Sequence, residues 1–257
     1  MNLPRVVRLL VSVRDVAEAT AAHQGGADII DIKEPSAGSL GMASPETMLA
    51  IRRSLPASAF VTAALGELME TETPSAEVLA SLAGLWLVKA GTSHVENRID
   101  AFDRFYRWSE QLGPNLPLIP AVYADGARCG GIHWETGLEW ARKVQSPALL
   151  IDTYFKDGRR LSDWLNEREQ EAIADACREA GLLLAWAGSL STEDLTSPSR
   201  RTGDILAVRG AACLDGIRTK GICSNRVRAL ADLLGRDPIS HEGRSAGKGI
   251  DLGAVGK

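Results

Sequence analysis

Short apolar runs alternate along this chain with longer stretches in which apolar residues recur every three or four positions. The two periods mark strands and helices respectively. Residues 6–13 form a largely apolar run rich in valine and leucine, as a parallel strand covered on both faces requires. Asp15 then stands where an N-cap belongs, residues 16–24 carry helical spacing, and Gly25-Gly26 stops the helix. The same unit repeats down the chain. Further strands are expected at 27–33, 59–64, 85–89, 116–123, 148–152, 182–187 and 205–208. Helices are expected from Ser44-Pro45-Glu46, with serine as cap and proline in the first helical position, and at 75–83, 96–112, 136–143, 167–180, 192–195 and 224–234. The aromatic residues Phe102, Phe105, Tyr106 and Trp108 lie on one of these helices and read as packing rather than as a cofactor box.

Eight strand-then-helix units within about 235 residues match the order and length of a (β/α)8 TIM barrel, an α/β fold. A doubly wound open sheet is the alternative, but no G-x-G-x-x-G follows the first strand. No linker interrupts the pattern, so one catalytic domain is expected over residues 1–235. From 236 to 257 the composition turns to glycine, serine and charge, and this stretch reads as a disordered tail.

Composition narrows the class without naming a reaction. Of 257 residues, 45% are hydrophobic and 24% charged, with a net charge of −4, which suits a soluble globular protein and offers nucleic acid or an anionic membrane no general attraction. Four scattered cysteines without a C-x-x-C pair read as reduced thiols in a cytoplasmic protein. The first apolar run is too short to span a membrane and lacks a signal-peptide cleavage pattern. His23, His94, His133 and His241 are far apart without ligand spacing, so no metal is expected, and no Ser-His-Asp arrangement is legible.

In a TIM barrel the active site forms at the C-terminal ends of the strands, so chemistry is sought there. Alternation along Asp28-Ile-Ile-Asp-Ile-Lys33 places Ile29, Asp31 and Lys33 on one face and Ile30 and Ile32 on the other. Asp31 beside Lys33 is compatible with a structural ion pair. A desolvated lysine at a strand end is also an amine nucleophile toward carbonyls. The fourth strand ends on Lys89, and the sixth on Asp152 with Lys156 four residues on. Three lysines and two aspartates thus converge on one mouth, which favours an active-site role for Lys33. The seventh and eighth strand ends carry Gly188-Ser189 and Arg209-Gly210-Ala211. Small residues beside one arginine at these two strands suit a phosphate cradle, although either glycine alone could serve only a tight turn.

With these residues assembled, the chain resembles the (5-formylfuran-3-yl)methyl phosphate synthases of methanofuran biosynthesis, also called 4-(hydroxymethyl)-2-furancarboxaldehyde-phosphate synthases. The resemblance runs from about residue 9 to 234 and rests on GGADIIDIKEPSAGSLG (25–41), VKAG around Lys89, LIDTYFKDGRRL (150–161), LAWAGSL (184–190) and VRGAAC (208–213). It implies a lyase of the class I aldolase type that condenses two glyceraldehyde 3-phosphates to a furan aldehyde phosphate, losing phosphate and water. Carried over by motif, Lys33 is the Schiff-base lysine, and Asp31, Lys89, Asp152 and Lys156 are the surrounding acid–base and substrate-binding groups. No cofactor beyond the lysine imine is implied. The expected partners are small triose phosphates and further copies of the chain in a homo-oligomer, with neither nucleic acid nor membrane. The chain departs from the family pattern in Cys213-Leu-Asp-Gly-Ile-Arg218 after strand eight, in the tryptophan-rich fifth helix and in the glycine-rich tail, which bears on substrate closure and assembly. Two other readings use the same residues: a sugar-phosphate aldolase or isomerase that makes no furan, and a non-catalytic phosphometabolite-binding barrel.

Overall fold

The computed structural model describes residues 7–197 and 202–235; the tail expected to be disordered lies outside them. Eight strands, β1 (Arg8–Val13), β2 (Ile29–Ile32), β3 (Phe60–Glu67), β4 (Leu87–Gly91), β5 (Leu118–Tyr123), β6 (Ala148–Asp152), β7 (Leu183–Trp186) and β8 (Ile205–Val208), pair in parallel in chain order, and β1 closes on β8. Helices follow the strands: α1 (Val16–Gly25), α2 (Pro45–Ser54), α3 (Ala76–Ser81), α4 (Ala101–Leu112), α5 (Gly126–Cys129), α6 (Trp134–Lys143), α7 (Glu167–Glu179), α8 (Thr192–Thr196) and α9 (Ser224–Leu233). The chain is a (β/α)8 barrel, with the short α5 as an extra turn before α6. Among the described residues no helix is long and apolar enough to cross a membrane.

The local signals explain the boundaries. Asp15 caps α1 by accepting a bond from Glu18 N, and the helix ends at Gly26 with φ 95°. Ser44 caps α2 and Pro45 opens it. Several elements differ from expectation. Strand β4 runs to Gly91 instead of stopping at Lys89, so Lys89 sits in mid-strand and not at the strand end, because the ladder with β5 continues through Ala90 and Gly91. Strand β3 continues to Glu67, because a register shift against β4 between Ala64 and Glu67 absorbs Gly66 as an irregularity instead of a stop. Helix α4 begins at Ala101 rather than at 96, since Asn97 adopts a left-handed φ of 62° that no α-helix accommodates.

The period-two alternation sorts residues between two cores. Ile30 and Ile32 join the layer between strands and helices, while Ile29 joins a separate cluster inside the barrel. Phe105 and Trp108 are fully buried under α4, whereas Tyr106 on the same helix is exposed. Inside the barrel, bulky side chains such as Ile29, Ile119, Leu150 and Ile205 are interspersed with Ala64, Ala121, Ala148, Ala185 and Ala207. These alanines leave space where branched residues usually fill the centre. A cavity of about 440 Å³ opens there and extends to the C-terminal mouth.

Candidate active site

Asp31 and Lys89 form the deep, closed part of the mouth. Strand register places Ser12 of β1 and Thr62 of β3 on either side of Asp31. Both hydroxyls donate to its carboxylate, Ser12 Oγ at 3.0 Å and Thr62 Oγ1 at 2.7 Å. Lys89 of β4 pairs with Ala64 in the ladder and donates its Nζ to Asp31 Oδ1, with a further contact to Thr62 Oγ1 at 3.3 Å. The two charged side chains are 4% and 3% exposed. Burial at that level demands a partner for each charge. The first partner of Asp31 is therefore Lys89 and not Lys33, the neighbour that strand alternation suggested.

Lys33 belongs to a second and looser group. Its Nζ lies 3.9 Å from Asp152 Oδ2, beyond hydrogen-bond reach. Asp152 Oδ1 accepts instead from Lys156 Nζ at 2.8 Å and from the Thr153 amide at 2.7 Å. Lys156 uses its remaining donors on Thr153, reaching O at 2.5 Å and Oγ1 at 3.2 Å. Two lysines thus share one buried carboxylate, and among the described residues the Lys33 amine has no bound acceptor. Burial lowers the Lys33 pKa from 10.5 to about 8; Asp152 opposes that, and Lys156 adds to it. Burial would raise Asp152, but Lys156 and Lys33 outweigh it and hold the carboxyl below its usual value. An amine whose neutral form is far more accessible near neutrality than that of an ordinary lysine, beside a base that stays ionised, is equipped for nucleophilic attack on a carbonyl.

The loop that carries Lys156 is clamped from the turn after β5 and from α5. Asp125, 2% exposed, accepts from the amides of Tyr154 at 2.6 Å and Phe155 at 3.0 Å. Arg128 stacks over Phe155, 4.2 Å from its centroid, and pairs with Asp157 at 3.0 Å. The clamp fixes the backbone of an irregular segment, so that the bonds of Lys156 to Asp152 and Thr153 start from a set position.

Gly188, Ser189, Arg209, Gly210 and Ala211 all line the cavity, on the wall made by the ends of β7 and β8. Gly188 is required by geometry, since its φ is 101° and a Cβ would meet Thr153 Cγ2 at 3.0 Å. Gly210 is not: its φ lies outside the left-handed region, and a Cβ would meet only Gly216 O at 3.7 Å. Arg209 is engaged inside the protein. Its Nη1 donates to Glu18 Oε2 at 2.8 Å and Ser12 O at 3.0 Å, its Nη2 to Glu18 Oε1 at 3.1 Å, and its Nε to Arg218 O at 3.2 Å. Four of its five N–H donors are thereby used, and it ties the β8 loop to α1 and β1. Arg218, on the loop after β8, also lines the cavity.

The site contains residues that the sequence pattern did not single out. Ser12 and Thr62 carried a readable signal, as hydroxyls within otherwise apolar strands whose ladder positions flank Asp31. Asp125, Glu18 and Arg218 carried none, because their roles depend on loops from distant parts of the chain. Among the described residues no group of three His, Cys, Asp or Glu side chains is placed to hold a metal ion.

Comparison with known proteins assigns the chain. Residues 9–231 match the family described as 4-HFC-P synthase. The (5-formylfuran-3-yl)methyl phosphate synthase of Methanopyrus kandleri is 35% identical over 233 residues, covering 88% of this chain and 98% of the relative. The protein of that name from Methanocaldococcus jannaschii is 35% identical over 231 residues, with the same coverage of 88% and 98%. Among solved structures, a phosphoribosyl anthranilate isomerase in complex with a reduced ribulose 5-phosphate derivative superimposes with a TM-score of 0.59 at 17% identity, covering 90% of this chain and 100% of its own. A 3-hexulose-6-phosphate synthase does so with a TM-score of 0.52 at 14% identity, covering 87% and 99%; at these identities the two share only the fold. With a family match across the whole barrel and relatives above 30% identity over nearly all of it, the chain is an enzyme and belongs to the 4-HFC-P synthase family.

Proposed function

We propose that this enzyme is a (5-formylfuran-3-yl)methyl phosphate synthase, a lyase that condenses two molecules of glyceraldehyde 3-phosphate through a Schiff base on Lys33, in the formation of a methanofuran-type cofactor. The observation that carries the reading is the Lys33 amine: buried, without a bound acceptor among the described residues, with a pKa lowered to about 8, and 3.9 Å from an ionised carboxylate. The atoms balance, since two triose phosphates yield one furan aldehyde phosphate, one inorganic phosphate and two waters, with no oxidant or reductant.

Neutral Lys33 adds to the carbonyl of one triose phosphate, and loss of water gives the protonated imine. The imine draws electrons from the adjacent carbon, so a base can remove a proton there and create the carbon nucleophile that attacks the second aldehyde. Asp152 Oδ2, facing Nζ of Lys33, is placed to move these protons. Lys156, held on the other oxygen of the same carboxylate, neutralises charge that develops on a carbonyl or on departing phosphate. Lys89, fixed by Asp31, supplies a positive field from the barrel interior. Elimination of phosphate, dehydration and ring closure complete the furan.

The test is incubation with glyceraldehyde 3-phosphate alone. Growth of near-ultraviolet absorption from a conjugated furan aldehyde is expected, as is a borohydride-reduced adduct on Lys33 in the mass spectrum. Turnover without an adduct at Lys33 would remove the imine mechanism, and an adduct without the furan chromophore would make the enzyme an ordinary aldolase.

A further inference from the structure

We propose that Arg218 is the anion anchor of the cavity, taking the phosphate group of a bound triose phosphate in a fork of guanidinium N–H bonds. The inference rests on the reading of the cavity as a site for phosphorylated trioses, but not on formation of a furan.

The cations around the cavity separate by what already holds them. Lys89 is paired with Asp31, Lys156 with Asp152, and Arg209 with Glu18, while Arg226 donates its Nε to Ala211 O at 3.0 Å. Arg218 lines the same cavity, and among the described residues no side chain or carbonyl accepts from its guanidinium. Lys33 and Asp152 line that cavity too, and the charge of Arg218 acts on both. Burial weakens its hold on its proton, with Asp152 only partly compensating. A half-buried cation of this kind gains most from an anion that arrives with the substrate.

The backbone beneath Arg218 is built to hold it still. Its carbonyl accepts from Arg209 Nε at 3.2 Å, and so joins the Glu18–Arg209 ion pair. The ends of the loop are drawn together by a bridge between Cys213 and Ile222 and by a bond from Leu214 N to Gly221 O at 3.0 Å. A fixed backbone carrying an unengaged side chain is preorganised for a ligand, since little ordering remains to be done on binding. Gly210 provides the second, independent sign. Neither its φ nor its packing calls for glycine, for a Cβ would meet only Gly216 O at 3.7 Å. Gly210 itself lines the cavity, where a bare backbone permits the close approach of a phosphate.

Arginine suits phosphate because its planar fork matches two oxygens at once, and lysine cannot reproduce that geometry. The charge balance around the cavity points the same way. Lys33, Lys156 and Arg218 all draw on the single carboxylate of Asp152, so the site carries excess positive charge that a dianion neutralises and an uncharged triose does not.

The experiment compares wild type with Arg218→Met and Arg218→Lys in the full chain, with circular dichroism confirming that each variant folds. Two quantities are read: the dissociation constant of inorganic phosphate by calorimetry, and the ratio of borohydride-trapping efficiencies for glyceraldehyde 3-phosphate over unphosphorylated glyceraldehyde. Arg218→Met is expected to weaken phosphate by roughly 10- to 100-fold and to lower the ratio by a similar factor, with Arg218→Lys recovering only part of each. A folded Arg218→Met that binds phosphate like wild type, or that loses trapping equally with both aldehydes, would overturn the anchor. If phosphate binding and the ratio respond as expected but wild type produces no furan, the anchor stands and the synthase reading fails.

Discussion

The mouth of this barrel contains two lysine–aspartate systems built from the same residue types, and they do different things. Around Asp31 every group has a partner: two hydroxyls and Lys89 converge on the carboxylate from neighbouring strands. Around Asp152 the partners are unequal, because Lys156 takes the hydrogen bond and Lys33 is left 3.9 Å away. The first system is a closed lock and the second holds an amine in reserve. The difference arises from supply. Strand register gives Asp31 hydroxyls on both sides, whereas Asp152, at the last position of β6, faces loops and must share itself between two cations. On the proposed mechanism, reactivity at this mouth depends on incomplete satisfaction, and stability on its opposite.

The contrast can be broken most directly at Lys33. Lys33→Met is expected to abolish the borohydride-trapped adduct and to lower turnover by roughly 10⁴-fold or more. Residual activity within tenfold of wild type would place the chemistry on another lysine. On the closed side the largest effect is on stability. Asp31→Asn leaves the buried Lys89 ammonium without its counter-charge and is expected to cost about 3–5 kcal/mol in denaturant unfolding. A loss below about 1 kcal/mol would show that Asp31 and Lys89 are not the lock described.

Lys33 is expected to weaken the fold that carries it. Its pKa is about 8 in the folded protein against 10.5 ordinarily, so between those values the unfolded chain holds a proton that the folded chain has released. Stability attributable to this group thus rises with pH from about 8 to 10.5 and is at its lowest below 8. Lys33→Met removes the penalty, and an increase in unfolding free energy of about 3 kcal/mol is expected at pH 7, shrinking from about pH 8 upward and gone above about 10.5. The same titration governs chemistry, so the trapping rate of wild type should rise through about pH 8 and level above it. Lys156→Met deletes a cation that depresses this value, and should move the midpoint upward.

Asp125→Asn tests whether the open system depends on its clamp. Loss of the charge-assisted bonds to Tyr154 N and Phe155 N is expected to loosen the Lys156 loop and lower kcat by about tenfold, with a stability loss of roughly 1–2 kcal/mol. Because Lys156 would then shield Lys33 less consistently, the pH midpoint for trapping should broaden or shift. A variant with reduced stability but an unmoved pH profile would assign Asp125 to the fold alone.

Much of this architecture is legible in one dimension because the signals are local. Alternation in β2 placed Ile30 and Ile32 against the helices and Ile29, Asp31 and Lys33 on the inner face, and the cores divide along that line. Caps at Asp15 and Ser44 mark real helix starts. Boundaries shift where a left-handed residue such as Asn97, or a strand irregularity at Gly66, depends on neighbours to define it. The five lysines and aspartates at the mouth were visible from their strand-end positions, but their pairing was not, since proximity along one strand is a weaker constraint than proximity across a closed sheet.

Taken alone, the sequence determined the period of each element, their order, the barrel they build, and which charged residues reach its C-terminal mouth, because these follow from backbone periodicity and from the rule that parallel strands end together. Tertiary structure decided which aspartate serves which lysine, that Arg209 is engaged with Glu18, and that Arg218 faces the cavity instead. Those outcomes depend on ladder register and on loops from opposite ends of the chain meeting in space. Lys33 is left without a bound acceptor because its neighbours are already committed, and commitment of that kind is a property of the assembled barrel.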